Sequence, residues 1–344
     1  MVRRVHVCML VALASITLAA AGSQSDSRPP SAYKVPKTSF GHPDLEGTWT
    51  NNSATPLQRP AAWANKDVLT EAEVAQVQNT ARQLEEQGDA LFGDELISDA
   101  LQGHTAPKSH DTETGNYNGF WLPARDFERR TSLIIDPPNG RIPPETPDAQ
   151  KRRAALAERR KLSPADGPES RGLSERCITF GVPRFQAAYS SVYQIVQSPT
   201  HVVFNMETIH DARVIPIDGR PHVSDRIQQW LGDSRGHWEG DTLVVDTKGF
   251  SPKSNFQGSS SNLHLVERFT RLDRDTLRYD ATMSDPTTWT KPWTARIYFK
   301  RTDEPLLEYA CHEGNVGMFG ILSGARKMEA AQTGTKDQAP RTKD

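Results

Sequence analysis

From Tyr193 to Arg301 apolar and polar residues alternate in short runs, the period-2 signature of strands with one buried face. The runs are Tyr193–Gln197, His201–His222, Gly236–Thr247, Leu263–Met283 and Trp293–Arg301, and Leu306–Glu313 completes the set. An earlier β-branched run, Thr131–Pro143, enters a Pro-Pro-Asn-Gly turn. Turn residues at hairpin spacing separate several of these: Asp218-Gly219, Glu239-Gly240-Asp241, and Asp273 to Asp275. The pattern predicts a mainly β fold, an antiparallel meander closed into a barrel or folded as a sandwich. Two helices interrupt it. Thr70 followed by Glu73 makes a capping box for a helix to about Gln87, with Gly88 placed to end it. Thr146-Pro147 opens a second helix, which ends near Leu162 because Pro164 forces Ser163 out of the helical region.

The N-terminus departs from both periods. Arg3 and Arg4 precede an apolar run from Val5 to Ala20 and then small residues, which together predict a cleaved signal peptide over residues 1–22. A retained N-terminal anchor is the alternative, although the apolar run is short for a membrane span. No other segment is apolar enough to cross a bilayer, so a periplasmic or secreted protein with no membrane contact after cleavage is expected. Residues 23–43 carry four prolines and read as an extended segment. No Gly/Ser- or Pro-rich linker divides the rest, so one β-rich globular domain is expected over residues 44–326, with a helical insertion at about 70–165. Residues 327–344 read as a disordered tail.

Cleavage changes both the charge and the cysteine count. Loss of Arg3 and Arg4 leaves 39 basic against 43 acidic residues, a net of −4, which provides no field for gathering nucleic acid. The basic run Lys151–Lys161 has no interleaved aromatics and reads as a solvated helix. Loss of Cys8 leaves Cys177 and Cys311, an even pair that favours a disulfide in an exported protein. The competing reading makes Cys311 a metal ligand or nucleophile beside His312.

Gly47-Thr48-Trp49 resembles the Gly-x-Trp that opens the first strand of lipocalin-like (calycin) barrels, and Arg301 stands where that family's late Arg does. The resemblance implies a barrel end closed by the Arg packed over the Trp face. The helical insertion departs from a simple lipocalin. Over residues 40–326, the strings RTSLIIDPPNGRIP, GDSRGHWEGDTLVV, ERFTR and EYACHEGN resemble those of an uncharacterised family of exported bacterial proteins. That resemblance brings no activity or site residue with it.

Candidate chemistry concentrates late in the chain. Six of the ten histidines follow residue 200, and Glu207–Asp241 is dense in His, Asp, Glu and Arg. If 202–213 is one strand, Glu207, Asp211 and Arg213 share a face and His210 takes the other. If 306–313 is a strand, Glu308 and His312 share a face. On 263–271, His264 and Arg268 lie together, while Glu267 sits with Leu265 and Phe269 and must be satisfied by an Arg or poised in a pocket.

Three functions compete. An interior cluster of His210, His312, Glu207, Asp211, Glu308, Arg213 and Arg268 would perform acid–base chemistry on an apolar or aromatic small molecule, as a lyase, isomerase, cyclase or hydrolase. A carrier would hold a hydrophobic ligand against Trp230, Trp238, Trp289, Trp293 and His264. A divalent-metal hydrolase would need histidines to converge from distant strands, since no close His-x-His pair exists. No phosphate-cradling loop or dinucleotide fingerprint appears, so no cofactor is expected. Gly232-Asp233-Ser234 lacks a nucleophile elbow and reads as a turn. The loop Gly115–Trp121 offers an aromatic anchor or a pocket lid.

Overall fold

The computed structural model describes residues 33–86, 125–185, 191–254 and 256–333. The expected signal peptide, Gly88, the loop Gly115–Trp121 and residues 334–344 lie outside these. Ten strands are described: β1 (Gly47–Thr50), β2 (Ile134–Asp136), β3 (Val192–Gln197), β4 (His201–Met206) and β5 (Ala212–Pro216), followed by β6 (Asp233–Glu239), β7 (Thr242–Lys248), β8 (His264–Arg271), β9 (Thr276–Ser284) and β10 (Trp293–Arg301). They form one antiparallel sheet ordered β5-β4-β3-β1-β10-β9-β8-β7-β6, with β2 added against β10. The sheet curls until its edges β5 and β6 lie side by side, giving a nearly closed barrel.

Alternation builds the core. β8 and β9 bury every second residue, from Leu265 to Arg271 and from Leu277 to Met283. Two hairpins follow the turn chemistry. Gly240-Asp241 joins β6 to β7 with Glu239 opposite Thr242, and residues 273–275 join β8 to β9. Trp49 is fully buried, its Nε1–H donates to the Leu45 carbonyl at 3.1 Å, and the Arg301 guanidinium lies 5.6 Å from its ring centroid. Arg271 adds a second cation at 5.7 Å. Gly47, at φ +129°, leaves room for that guanidinium, because a Cβ there would meet Arg301 at 3.0 Å.

Three helices are described. α1 (Glu71–Glu86) carries the capping box: the Thr70 N–H donates to Glu73 at 2.8 Å and the Glu73 N–H to Thr70 Oγ1 at 3.3 Å. α2 (Pro147–Leu162) is capped by Thr146, which accepts from the Ala149 N–H. α3 (Val316–Thr333) has no counterpart in the expected pattern and continues past Lys327, where the tail was expected to begin.

Two expected strands are corrected. Residues 202–213 do not form one strand: a 3-10 turn at Thr208–His210 separates β4 from β5, with Ile209 and His210 at φ +57° and +53°. Residues 306–313 form no strand. They follow Pro305, which has no N–H for a ladder, and side chains satisfy part of their backbone instead. The Leu307 N–H donates to Glu207 Oε1 at 3.3 Å and the Tyr309 N–H to His210 Nε2 at 3.2 Å. A Cys177–Cys311 disulfide, with Cα atoms 5.6 Å apart, fastens this strap.

Candidate functional site

Polar chemistry inside the barrel centres on one ion pair. Arg213 (β5) donates to both oxygens of Glu267 (β8), at 3.0 and 2.6 Å, and both side chains are buried. Tyr279 Oη donates to Glu267 Oε1 at 2.7 Å, while Ser234 and Thr247 accept from Arg213 Nη2 at 3.1 and 3.3 Å. Burial works against the guanidinium charge, but the adjacent Glu267 outweighs it and raises the Arg213 pKa. Burial, reinforced by the negative carboxylate, pushes the Tyr279 phenol well up. One donor in this network is unspent: among the described residues, buried Arg213 Nε has no acceptor. Ser234, held in this network, is hydrogen-bonded to Thr247 at 3.0 Å rather than to a base.

A cleft of about 710 Å³ opens outside this pair, where β5 and β6 face each other. That volume is typical of small-molecule sites. Val214, 60% exposed, and Trp230, 39% exposed, line it together with Arg213, Asp233 and Ser234. The seam has a topological cause. Nine strands lie along the path from β5 to β6 and each neighbouring pair is antiparallel, so the two edges run parallel and are linked by the long segment 217–232. Among the described residues no backbone hydrogen bond joins β5 to β6. The Met206 N–H bonds to Asp211 and the Ile217 N–H to Thr200, which fixes the phase of β5. Arg213 and Ile215 therefore turn their N–H groups to β4, and Ala212 and Val214 turn theirs to the seam. The far end is tight: a Cβ on Gly236 would meet Ile217 Cγ2 at 2.8 Å and Ile215 Cγ2 at 3.0 Å.

The expected acid–base residues do not assemble in this cleft. His210, Glu308 and His312 are exposed. Glu207 is buried under the 302–315 strap, where burial raises its carboxyl pKa against the Leu307 and Val192 N–H bonds. Asp211 is raised by burial too, which outweighs hydrogen bonds from the Thr179 hydroxyl at 2.7 Å and the Phe180 N–H at 3.2 Å. Arg268 lies on the outer face of β8 and pairs with Glu239 at 2.6 Å. Of the tryptophans, Trp289 and Trp293 are packed edge-to-face in the core and Trp238 stacks on His42, which leaves Trp230 alone at the cleft. Cys177 and Cys311 are consumed by the disulfide. Among the described residues no group of three or more His, Cys, Asp or Glu is arranged to hold a metal ion.

One titratable cluster was missed from sequence. His222 Nδ1 lies 2.8 Å from Asp233 Oδ2, and its Nε2 lies 2.7 Å from Asp246 Oδ1. His264 Nε2 lies 2.6 Å from Asp246 Oδ2, so His264 decorates the outer face of the sheet. Burial opposes ionisation of Asp246, yet the two imidazoles hold its pKa below the ordinary value. These side chains come from β6, β7, β8 and the 217–232 segment, and no local motif joins them.

No family model matches the chain, and no curated protein matches it. Among solved structures it is similar to a "secretary abundant heat soluble (SAHS)" protein from Ramazzottius varieornatus, at 11% identity and a TM-score of 0.23. The match covers 32% of this chain and 70% of that one. The barrel assignment stands on strand order and register, and a match at this score adds no argument to it.

Proposed function

We propose that this chain is an exported β-barrel protein that binds an uncharged apolar or aromatic small molecule in the β5–β6 seam cleft, as a carrier rather than an enzyme. The observation that carries the reading is the seam itself: an open cleft of ligand size lined by the exposed apolar side chains of Val214 and Trp230. Its charges are already matched, Arg213 by Glu267 and Arg235 by Asp233 at 2.7 Å, so an ionic ligand gains no unpaired partner. The disulfide and the basic, apolar N-terminal sequence support export. Acid–base catalysis has weaker support, because His210 and His312 stand exposed and neither lines the cleft.

The test is titration with N-phenyl-1-naphthylamine, a neutral fluorophore that brightens in apolar sites. Saturable binding to one site is expected, and Trp230→Ala should weaken it about tenfold by removing an aromatic wall. Phe319→Ala, on an exposed apolar position of α3, should leave it unchanged. Absence of saturable binding, or an affinity indifferent to Trp230→Ala, overturns the reading.

A further inference from the structure

The segment 217–232 runs back over β6 and β7 from the end of β5 to the start of β6, and its Trp230 lines the cleft. Its two ends are pinned by backbone bonds, Ile217 N–H to Thr200 at one and Gln229 N–H to Gly249 at the other. Between them His222 is its main side-chain tie to the barrel. The other ties to β6 are the Val223 N–H on Asp233 at 3.1 Å and the Pro221 carbonyl accepting from Arg235 Nε at 2.9 Å.

Both His222 nitrogens face carboxylate oxygens, on Asp233 and on Asp246. An ionised carboxylate only accepts, and a neutral imidazole has one N–H to give. Both contacts are therefore hydrogen bonds only when His222 is an imidazolium. With a neutral ring, one nitrogen lone pair points at a carboxylate oxygen and that tie becomes repulsive.

We propose that His222 is a protonation-operated latch on the seam cleft: charged, it ties the 217–232 segment to β6 and β7 and holds the cleft wall in place; neutral, it releases one tie and loosens the wall. The inference rests on the ligand reading above for its purpose and on hydrogen-bond chemistry for its mechanism. The charged groups facing the latch fix its sign. β6 contributes Asp233 and Arg235, which is spent on Asp233 at 2.7 Å. β7 contributes Asp246, with Lys248 at 3.9 Å from it. β8 contributes His264, which bonds the other oxygen of Asp246. Asp233 and Asp246 thus offer one acceptor to each His222 nitrogen, and only the protonated ring has an N–H for both. Imidazole changes charge between about pH 5 and 8, so the latch closes towards the acid side of that window and opens towards the alkaline side.

The test uses the whole protein without ligand. Amide hydrogen exchange of residues 218–227 is compared at pH 5.5 and 8.0 after correction for intrinsic rates. Protection in the native protein should fall about tenfold or more at the higher pH, the loss of one charge-assisted hydrogen bond. His222→Gln should abolish that step and His264→Gln should retain it. Asp246→Asn separates the latch from general loosening: an Asn amide donates to a neutral imidazole, so the segment should stay protected at pH 8.0. Equal protection of the native protein at both pH values overturns the latch, as does a step that survives in His222→Gln or an Asp246→Asn segment that opens like the native one. N-phenyl-1-naphthylamine affinity at the two pH values then reads the coupling. A protein that never binds the fluorophore contradicts the ligand reading and leaves the exchange result to decide the latch.

Discussion

Glu267 sits where a strand pattern puts an apolar residue, between Leu265 and Phe269 on the buried face of β8. Its position alone demands a partner, because an unpaired buried carboxylate is too costly to persist. The sequence therefore leaves an Arg partner or a pocket as the two outcomes; the barrel supplies Arg213 from the β5 edge. Glu267→Ala leaves the Arg213 cation buried without compensation and should cost about 3–5 kcal/mol, read as a lowered midpoint in urea unfolding. Replacing both with Arg213→Met and Glu267→Leu should cost less than the single change. A second residue sets the acid limit. Asp285 is buried, which opposes ionisation, but it accepts the Ser260 N–H at 2.7 Å, the Thr287 N–H at 3.0 Å and three hydroxyls, so its pKa is lowered. A lowered folded pKa gives stability that is full above the unfolded value and is lost as pH falls through the folded one. Asp285→Asn should therefore lower the melting temperature near pH 7 and flatten the native protein's loss of stability below about pH 4.

At the scale of elements, the strongest periodicities were legible and the short irregular joints were not. The paired strands β8 and β9, the β6–β7 hairpin and both capped helices follow from alternation, Gly-Asp turn chemistry and the capping box. The break between β4 and β5 was invisible because Thr208-Ile209-His210 contains no Gly, Asn or Pro to mark a turn, and the β-branched Ile209 adopts positive φ nonetheless. That misread joint displaced part of the expected site. It moved His210 to the surface and separated Asp211 from Arg213, which bonds Glu267 instead. The strap 302–315 misled through its apolar alternation, which serves to cover Glu207 rather than to pair. The cluster around His222 drew on four elements, so no spacing in the chain announced it. Gly236 marks the closed end of the seam, where it admits Ile215 and Ile217 against the β6 backbone. Gly236→Val should cost about 1–3 kcal/mol by overpacking. Thermal unfolding measures that cost, and faster amide exchange in β5 locates it.

The described barrel is shaped by the odd number of strands along its path from β5 to β6. An antiparallel path of nine strands brings parallel edges together, and here those edges meet through side chains at Gly236 and through the Arg213–Ser234 bond rather than through a ladder. Interior side chains fill the barrel around Trp49, Phe204, Phe269 and Trp293, so the ligand-sized space lies at the seam rather than along the axis. The Cys177–Cys311 bond ties the strap to the loop after α2, and Cys177→Ser with Cys311→Ser should cost about 2–5 kcal/mol in thermal unfolding. The most direct test of the unpaired seam is residue-resolved amide exchange along β5 in the unliganded protein. Arg213 and Ile215 should be protected by their bonds to β4, and Ala212 and Val214 should exchange at close to free-peptide rates. Uniform protection of all four amides would mean that the edges are laddered together, and the cleft on which the functional reading depends would be closed.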